Sequence, residues 1–274
     1  EAPEYEIGEY GIYYFYVKDI EGEVFKTQIE TGKVEASAKI GESVKLYSSV
    51  QNAISDSGNS QATITILENP AGVATINSGQ NLTLNLNRRT LKSNKTVITN
   101  NGTLSIVGNN GILTSGTGGD EYPAVIENSG TLTINDGKIV GKPTCIKNNK
   151  NSAVTLNDTE LNSTDTYSTV IINDGSMLVT SGNIDARTYI ENNSTGNLKL
   201  KNTTIVSSDK AISSSGTLTI EGSAISADYE AISVSGGATN VQSGKIVSKT
   251  DIGIGITNSA TLTVGTKDNK IDNN

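Results

Sequence analysis

The chain has 274 residues, 29 acids against 21 bases, no histidine and a formal charge of −8, a balance that argues against nucleic acid, whose phosphates require a basic face. Hydrophobic residues make up 34% and aromatics 4%, too little for a thick globular core, and no apolar run reaches the roughly 18 residues of a membrane-spanning helix. Cys145 is the one cysteine, so an internal disulfide and a cysteine metal site are excluded; a small buried filler is its expected role.

Residues 1–38 differ from the rest. Seven of the twelve aromatics (Tyr5, Tyr10, Tyr13, Tyr14, Phe15, Tyr16, Phe25) fall before residue 26. "GIYYFYVKD" and "EGEVFKTQI" read as two strands about a tight "DIEG" turn, and because a lone hairpin is marginal they need something to pack on. The opening "EAPEYEIGEY" lacks the basic and apolar regions of a signal peptide, and a start on Glu1 reads as a piece of a longer protein.

A short helix is expected over about 48–56. Ser48 and Gln51 have capping-box spacing, and Val50, Ala53 and Ile54 share one helical face. Its expected role is a lid on the first turn of a coiled β domain, because an open sheet end invites edge-to-edge association.

From residue 60 onward one pattern repeats. "NSGTLTINDGKI" at 128–139 returns as "SSSGTLTIEGSAI" at 213–225. Leu82, Leu104, Leu132, Val154, Met177, Leu198, Leu218, Thr239 and Leu262 form one column at intervals of 20 to 28 residues. A second apolar column follows two residues later, from Leu84 to Val264. A third, five residues beyond that, runs through Ile139, Leu161, Ile184, Ile205, Ile225 and Ile246. Upstream of each pair stands an isoleucine strand centred on Ile98, Ile126, Ile146, Ile171, Ile190, Ile212, Ile232 or Ile256.

The alternation is that of strands, the turns are Gly/Asn/Ser/Asp, and no helical period appears. Residues 39–274 are therefore expected to form an all-β domain, a single-stranded parallel β-helix of nine to ten turns with three strands each. Parallel crossovers favour the right-handed sense. One coil buries too few apolar groups to offset the entropy of ordering it, so coils must stack and present matching contacts to one another. Asn100, Asn128, Asn148, Asn173, Asn192 and Asn258, with Ser214, sit two residues beyond the isoleucines and are expected to form an internal amide ladder. The last residues, "TVGTKDNKIDNN", stop partway round a turn, and more turns are expected to follow in the parent protein.

Residues 40–91, with "IGESVKLYSSVQNAISDSGNSQATITIL" and "NLTLNLNRRTL", resemble the opening module of pectin-lyase-like right-handed β-helix regions in large surface proteins of Gram-positive, often gut-dwelling, bacteria. Residues 10–26 resemble the closing strands of bacterial Ig-like domains, although Gly22-Glu23 stands where those end in "GN". Together these resemblances imply an extracellular, adhesin-like module, monomeric within a multidomain chain. They are specific for fold and carry little about chemistry.

One loop edge collects the four tyrosines that follow Tyr47. Tyr122, Tyr167, Tyr189 and Tyr229 precede the isoleucine strands, beside Asp120, Glu121, Asp165, Asp185, Arg187, Asp228 and Glu230. Tyrosine rings stack on sugar faces, and carboxylates accept hydroxyl hydrogen bonds or bind calcium. Tyr122, Asp165, Tyr167, Arg187, Tyr189, Asp228 and Tyr229 are the candidate glycan contacts, and Asp120 with Glu121 the seed of a calcium site; an ordinary polar loop edge explains the same residues.

The leading expectation is a non-catalytic surface rod with no cofactor. The alternative is a calcium-dependent polysaccharide lyase or glycoside hydrolase using that edge as its groove. Against catalysis stand the missing histidine, the position of Arg88 and Arg89 outside the edge, and the lack of an obvious facing carboxylate pair. Ice binding through the recurring "TLT" is disfavoured by Lys199 in the middle of the array.

Overall fold

A computed structural model of the protein describes residues 11–18, 21–115, 123–165, 169–187, 189–257 and 260–265. Strands Gly11–Lys18 and Val24–Thr31 pair antiparallel with Lys18 opposite Val24, the expected hairpin, in a two-stranded sheet of their own. Lys26 Nζ lies 5.8 Å from the centre of the Tyr16 ring.

The remainder is a β-solenoid of about nine coils. A nine-stranded narrow sheet carries the isoleucine strands, and an 18-stranded broad sheet carries the other two strands of each coil. The broad sheet has two rows. The first holds strands such as Thr103–Val107 and Thr217–Glu221, and the second holds strands such as Ile112–Ser115 and Thr204–Ser207. Ala153–Ser163 and Ser176–Ala186 run through both. At a strand spacing of about 4.8 Å, nine coils make a rod roughly 45 Å long.

The registers place the sequence columns as stacks. Leu82 pairs with Leu104, Leu104 with Leu132, Leu132 with Val154, and so on through Thr239 to Leu262. The third column is longer than the spacing indicated, because Leu91 and Leu113 stack below Ile139. Their corners hold two extra residues, with Asn87, Arg88, Asn109 and Asn110 all at positive φ. Arg88 opens a vertical line of left-handed corner residues that continues through Asn110, Asp136, Asp158, Ser181, Asn202 and Gly222, all with φ from 50° to 65°.

The isoleucine column needs one correction. Ile232 pairs with Ile254 rather than Ile256, so Ile256 lies two residues on, opposite Val234. In "IGIGI" the three isoleucines share a parity, and only backbone hydrogen bonding, such as Ile232 N to Gly253 O at 3.0 Å, selects the register.

The amide ladder is present. Asn100 Nδ2 donates to Asn128 Oδ1 at 2.7 Å, Asn128 to Asn148 at 2.9 Å, Asn148 to Asn173 at 2.8 Å and Asn173 to Asn192 at 2.8 Å. Asn192 donates to Ser214 Oγ at 3.0 Å, and all six residues are buried. Asn258 lies outside the described residues; the slot above Ser214 is filled by Val234 and then Ile256.

The recurrence of "SGTLTI" has a local cause. A Cβ on Gly130 would stand 2.1 Å from the carbonyl oxygen of Gly102 one coil below, and one on Gly216 would stand 2.3 Å from that of Gly196. The coils approach too closely there for any side chain that does not bend away.

The first coil is covered from two sides. Ala36–Ile40 and Ser43–Tyr47 form an antiparallel hairpin, and Ala36–Ile40 also pairs antiparallel with Ala62–Ile66, shielding that edge of the broad sheet. Helix Val50–Ser57 buries Val50, Ala53, Ile54 and Ser57. Its cap is Ser49, whose Oγ accepts from Asn52 N at 3.1 Å, and not Ser48. Gln51 closes no capping box. Its Oε1 accepts from Thr75 N at 2.7 Å and its Nε2 donates to Thr75 O at 3.4 Å, which continues the ladder of the first narrow strand, Ala74–Ile76.

Cys145 is fully buried, and burial pushes its thiol up to about 12; Sγ–H contacts the carbonyls of Asn162 and Ile139 at 3.4 and 3.5 Å. It is a filler, as its isolation in the sequence suggested.

Candidate functional site

The loop edge joins the second row to the narrow sheet. Coil pairing sets its order: Ala186, Ser207, Ala227 and Ser248 stack, and the residue after each begins the corner. Arg187, Ser208, Asp228 and Lys249 are therefore neighbours up the rod. Ser208 Oγ donates to Arg187 O at 2.9 Å, and Asp228 N donates to Ser207 O at 3.1 Å.

The two edge tyrosines among the described residues do not share a column. Tyr189 opens strand Tyr189–Asn192, directly before Ile190, opposite Thr169 at a register shift, and is half-buried. Tyr229 stands three residues before Ile232 and is 56% exposed. Its backbone is fixed on both sides, because Tyr229 N donates to Asp209 O at 3.2 Å and its carbonyl accepts from Ser248 Oγ. Arg187 and Asp185 are exposed and Asp165 is half-buried. Tyr122, Tyr167, Asp120 and Glu121 lie outside the described residues.

Two edge carboxylates have lysine partners on adjacent coils. Lys249 Nζ lies 2.5 Å from Asp228 Oδ1, and Lys210 Nζ lies 3.1 Å from Glu230 Oε2. These lysines were not singled out from sequence, although the signal was there: Lys210 and Glu230 are 20 residues apart and Asp228 and Lys249 are 21 apart, one coil in each case. Glu230 is also wedged against the next coil, where a Cβ on Gly255 would meet its Oε1 at 2.1 Å.

A second acidic corner lies between the rows, in a groove of about 320 Å³ bordered by Asp136, Lys138, Asp158 and Glu160. Its carboxylates also have structural roles. Asp136 accepts from Gly137 N at 2.6 Å and from Asn110 N at 3.2 Å, while Glu160 pairs with Lys138. Among the described residues no three His, Cys, Asp or Glu side chains converge as metal ligands, and no helix is long and apolar enough to cross a membrane.

The class defined by this architecture is a parallel β-solenoid with an internal asparagine ladder. Comparison with family models, curated proteins and solved structures gives no match.

Proposed function

We propose that the chain is a non-catalytic extracellular surface module, a rod that contacts glycans along the loop edge. The observation that carries this reading is Tyr229, a ring 56% exposed on a backbone tied to the coils below and above it. A ring held that way offers apolar area at low entropic cost, which suits a sugar face. The neighbouring carboxylates Asp228 and Glu230 are already engaged by lysines, which fits contact better than proton transfer. The resemblance of residues 40–91 to pectin-lyase-like regions of Gram-positive surface proteins supports the same context.

The test is a glycan array probed with the native chain, Tyr229→Ala and Tyr189→Ala. Selective binding, weakened about tenfold or more by Tyr229→Ala, is the expected result. Release of unsaturated oligosaccharides from a polyuronate in the presence of calcium would replace this reading with the lyase.

A further inference from the structure

Charge is unevenly distributed along the rod. Residues 57–119 contain one acid, Glu68, and four bases, Arg88, Arg89, Lys92 and Lys95, a net of +3 in a chain of −8. Glu68 is paired with Lys33 at 3.6 Å. All four bases are exposed, and none takes part in the ion pairs found among the described residues. Arg88 and Arg89 occupy the corner between the rows, and Lys92 faces outward from strand Thr90–Ser93. Strand Thr90–Ser93 covers roughly 10 Å at about 3.3 Å per residue, with Arg89 just before it and Lys95 in the bend that follows it.

Beside Lys92 an open groove of about 500 Å³ is lined by Ala71, Gly72, Ser93, Asn94 and Thr114. The nearest acid in the same corner line is Asp136, two coils or about 10 Å from Arg88, which is about one Debye length, and its carboxylate is engaged by Gly137 N and Asn110 N. Arg88 adds an independent sign. It holds φ at 60° in a corner line otherwise filled by Asn, Asp, Ser and Gly. A long side chain in left-handed backbone costs about 1 kcal/mol or more, and among the described residues its guanidinium makes no ion pair that would offset this.

We infer that the first coils bind a sulfated polysaccharide along Arg88, Arg89, Lys92 and Lys95. Basic runs of this length are the sequence form of polyanion patches. A sulfate ester presents three acceptor oxygens, so an arginine fork or a lysine and the neutral donors Ser93, Asn94 and Thr114 are satisfied together. Nucleic acid fits less well, because no aromatic stands between Tyr47 and Tyr122 to stack a base. Asn94 and Lys95 lie in the corner of the same loop edge, several coils from Tyr229, whereas Arg88, Arg89 and Lys92 lie off it; the inference does not depend on Tyr229.

The experiment measures binding of the full chain to heparin, dextran sulfate, unsulfated dextran, polygalacturonate and duplex DNA at about 50 and 150 mM salt. The expected result is binding to the two sulfated polymers, several-fold weaker at the higher salt. Arg89→Ser/Lys92→Ser should weaken it at least tenfold, and Lys199→Ser/Lys201→Ser should leave it unchanged. Arg88→Gly should weaken binding while matching or exceeding the native melting temperature, a combination that misfolding does not produce. No binding to sulfated polymers, equal binding to polygalacturonate or DNA, or indifference to Arg89→Ser/Lys92→Ser would overturn the inference.

Discussion

The side-chain amide of Gln51 pairs with both backbone groups of Thr75, 24 residues further along, and so supplies the first narrow strand with a substitute neighbour. Gln80 does related work, donating to Ile54 O at 3.1 Å and Gly58 O at 2.9 Å while accepting from Asn77 N at 2.8 Å. Gln51→Leu leaves Thr75 N–H without its partner and is expected to cost about 1–3 kcal/mol in urea unfolding. Gln51→Glu keeps the acceptor and loses the donor, so a smaller loss is expected. Light scattering should show greater self-association for Gln51→Leu, since the exposed strand edge is then open to another chain.

Asn148 accepts from Asn128 and Ser152 and donates to Asn173 and to Ser176 O. Asn148→Leu deprives buried groups on both neighbouring coils and is expected to cost about 2–4 kcal/mol by denaturant unfolding. A double-mutant cycle with Asn173 should give a coupling of at least about 0.5 kcal/mol. Strict additivity would mean that the amides do not act on one another.

Thr239 stands in the leucine column between Leu218 and Leu262, with its hydroxyl buried and no hydrogen-bond partner. Thr239→Val keeps the shape and removes the unsatisfied group, so a gain of about 1 kcal/mol is expected in thermal or urea unfolding. A destabilised variant would show that the hydroxyl is satisfied in solution.

Tyr47 donates to Asp56 Oδ2 at 2.5 Å, and burial together with that bond pushes the phenol up from 10.0 to about 12. Because the folded value is the higher one, this contribution to stability is complete below pH 10 and disappears as pH rises from 10 to 12. Asp56 shifts the opposite way, held below the usual carboxylate range by Tyr47 and then Lys45, so its contribution is present at neutral pH and lost as pH falls through the folded value. The difference in melting temperature between the native chain and Tyr47→Phe should therefore shrink at both extremes of pH. A constant difference would show that the pair carries no titration-linked stability.

The solenoid was legible in the sequence because stacking forces each coil to repeat its neighbour's apolar positions, so Leu132 and Leu218 declare the same slot without further information. What escaped depended on atoms rather than pattern. Ser48 and Ser49 are adjacent and equally able to cap, and only the chain's entry angle selects Ser49. Leu91 and Leu113 dropped from the third column because Asn87-Arg88 and Asn109-Asn110 lengthen their corners. The loop edge was legible as composition only. Tyr189 and Tyr229 precede their isoleucines by one and three residues, and that offset places them in different slots.

The hydroxyl of Ser214 ends the relay of carboxamides, and Val234 and then Ile256, 45% exposed, come after it in the same slot. The coils from Asn100 to Ser214 are thus cross-stitched by an internal row of polar side chains, whereas the coils after Ser214 put apolar residues in that row and keep polar side-chain links only at their surface, such as Lys249 to Asp228. Under heat or tension the coils that carry the ladder should hold longest, and opening should be easiest in the coil around Ile254. A stepped gradient of amide exchange, fastest there and slowest near Asn128, would be its signature.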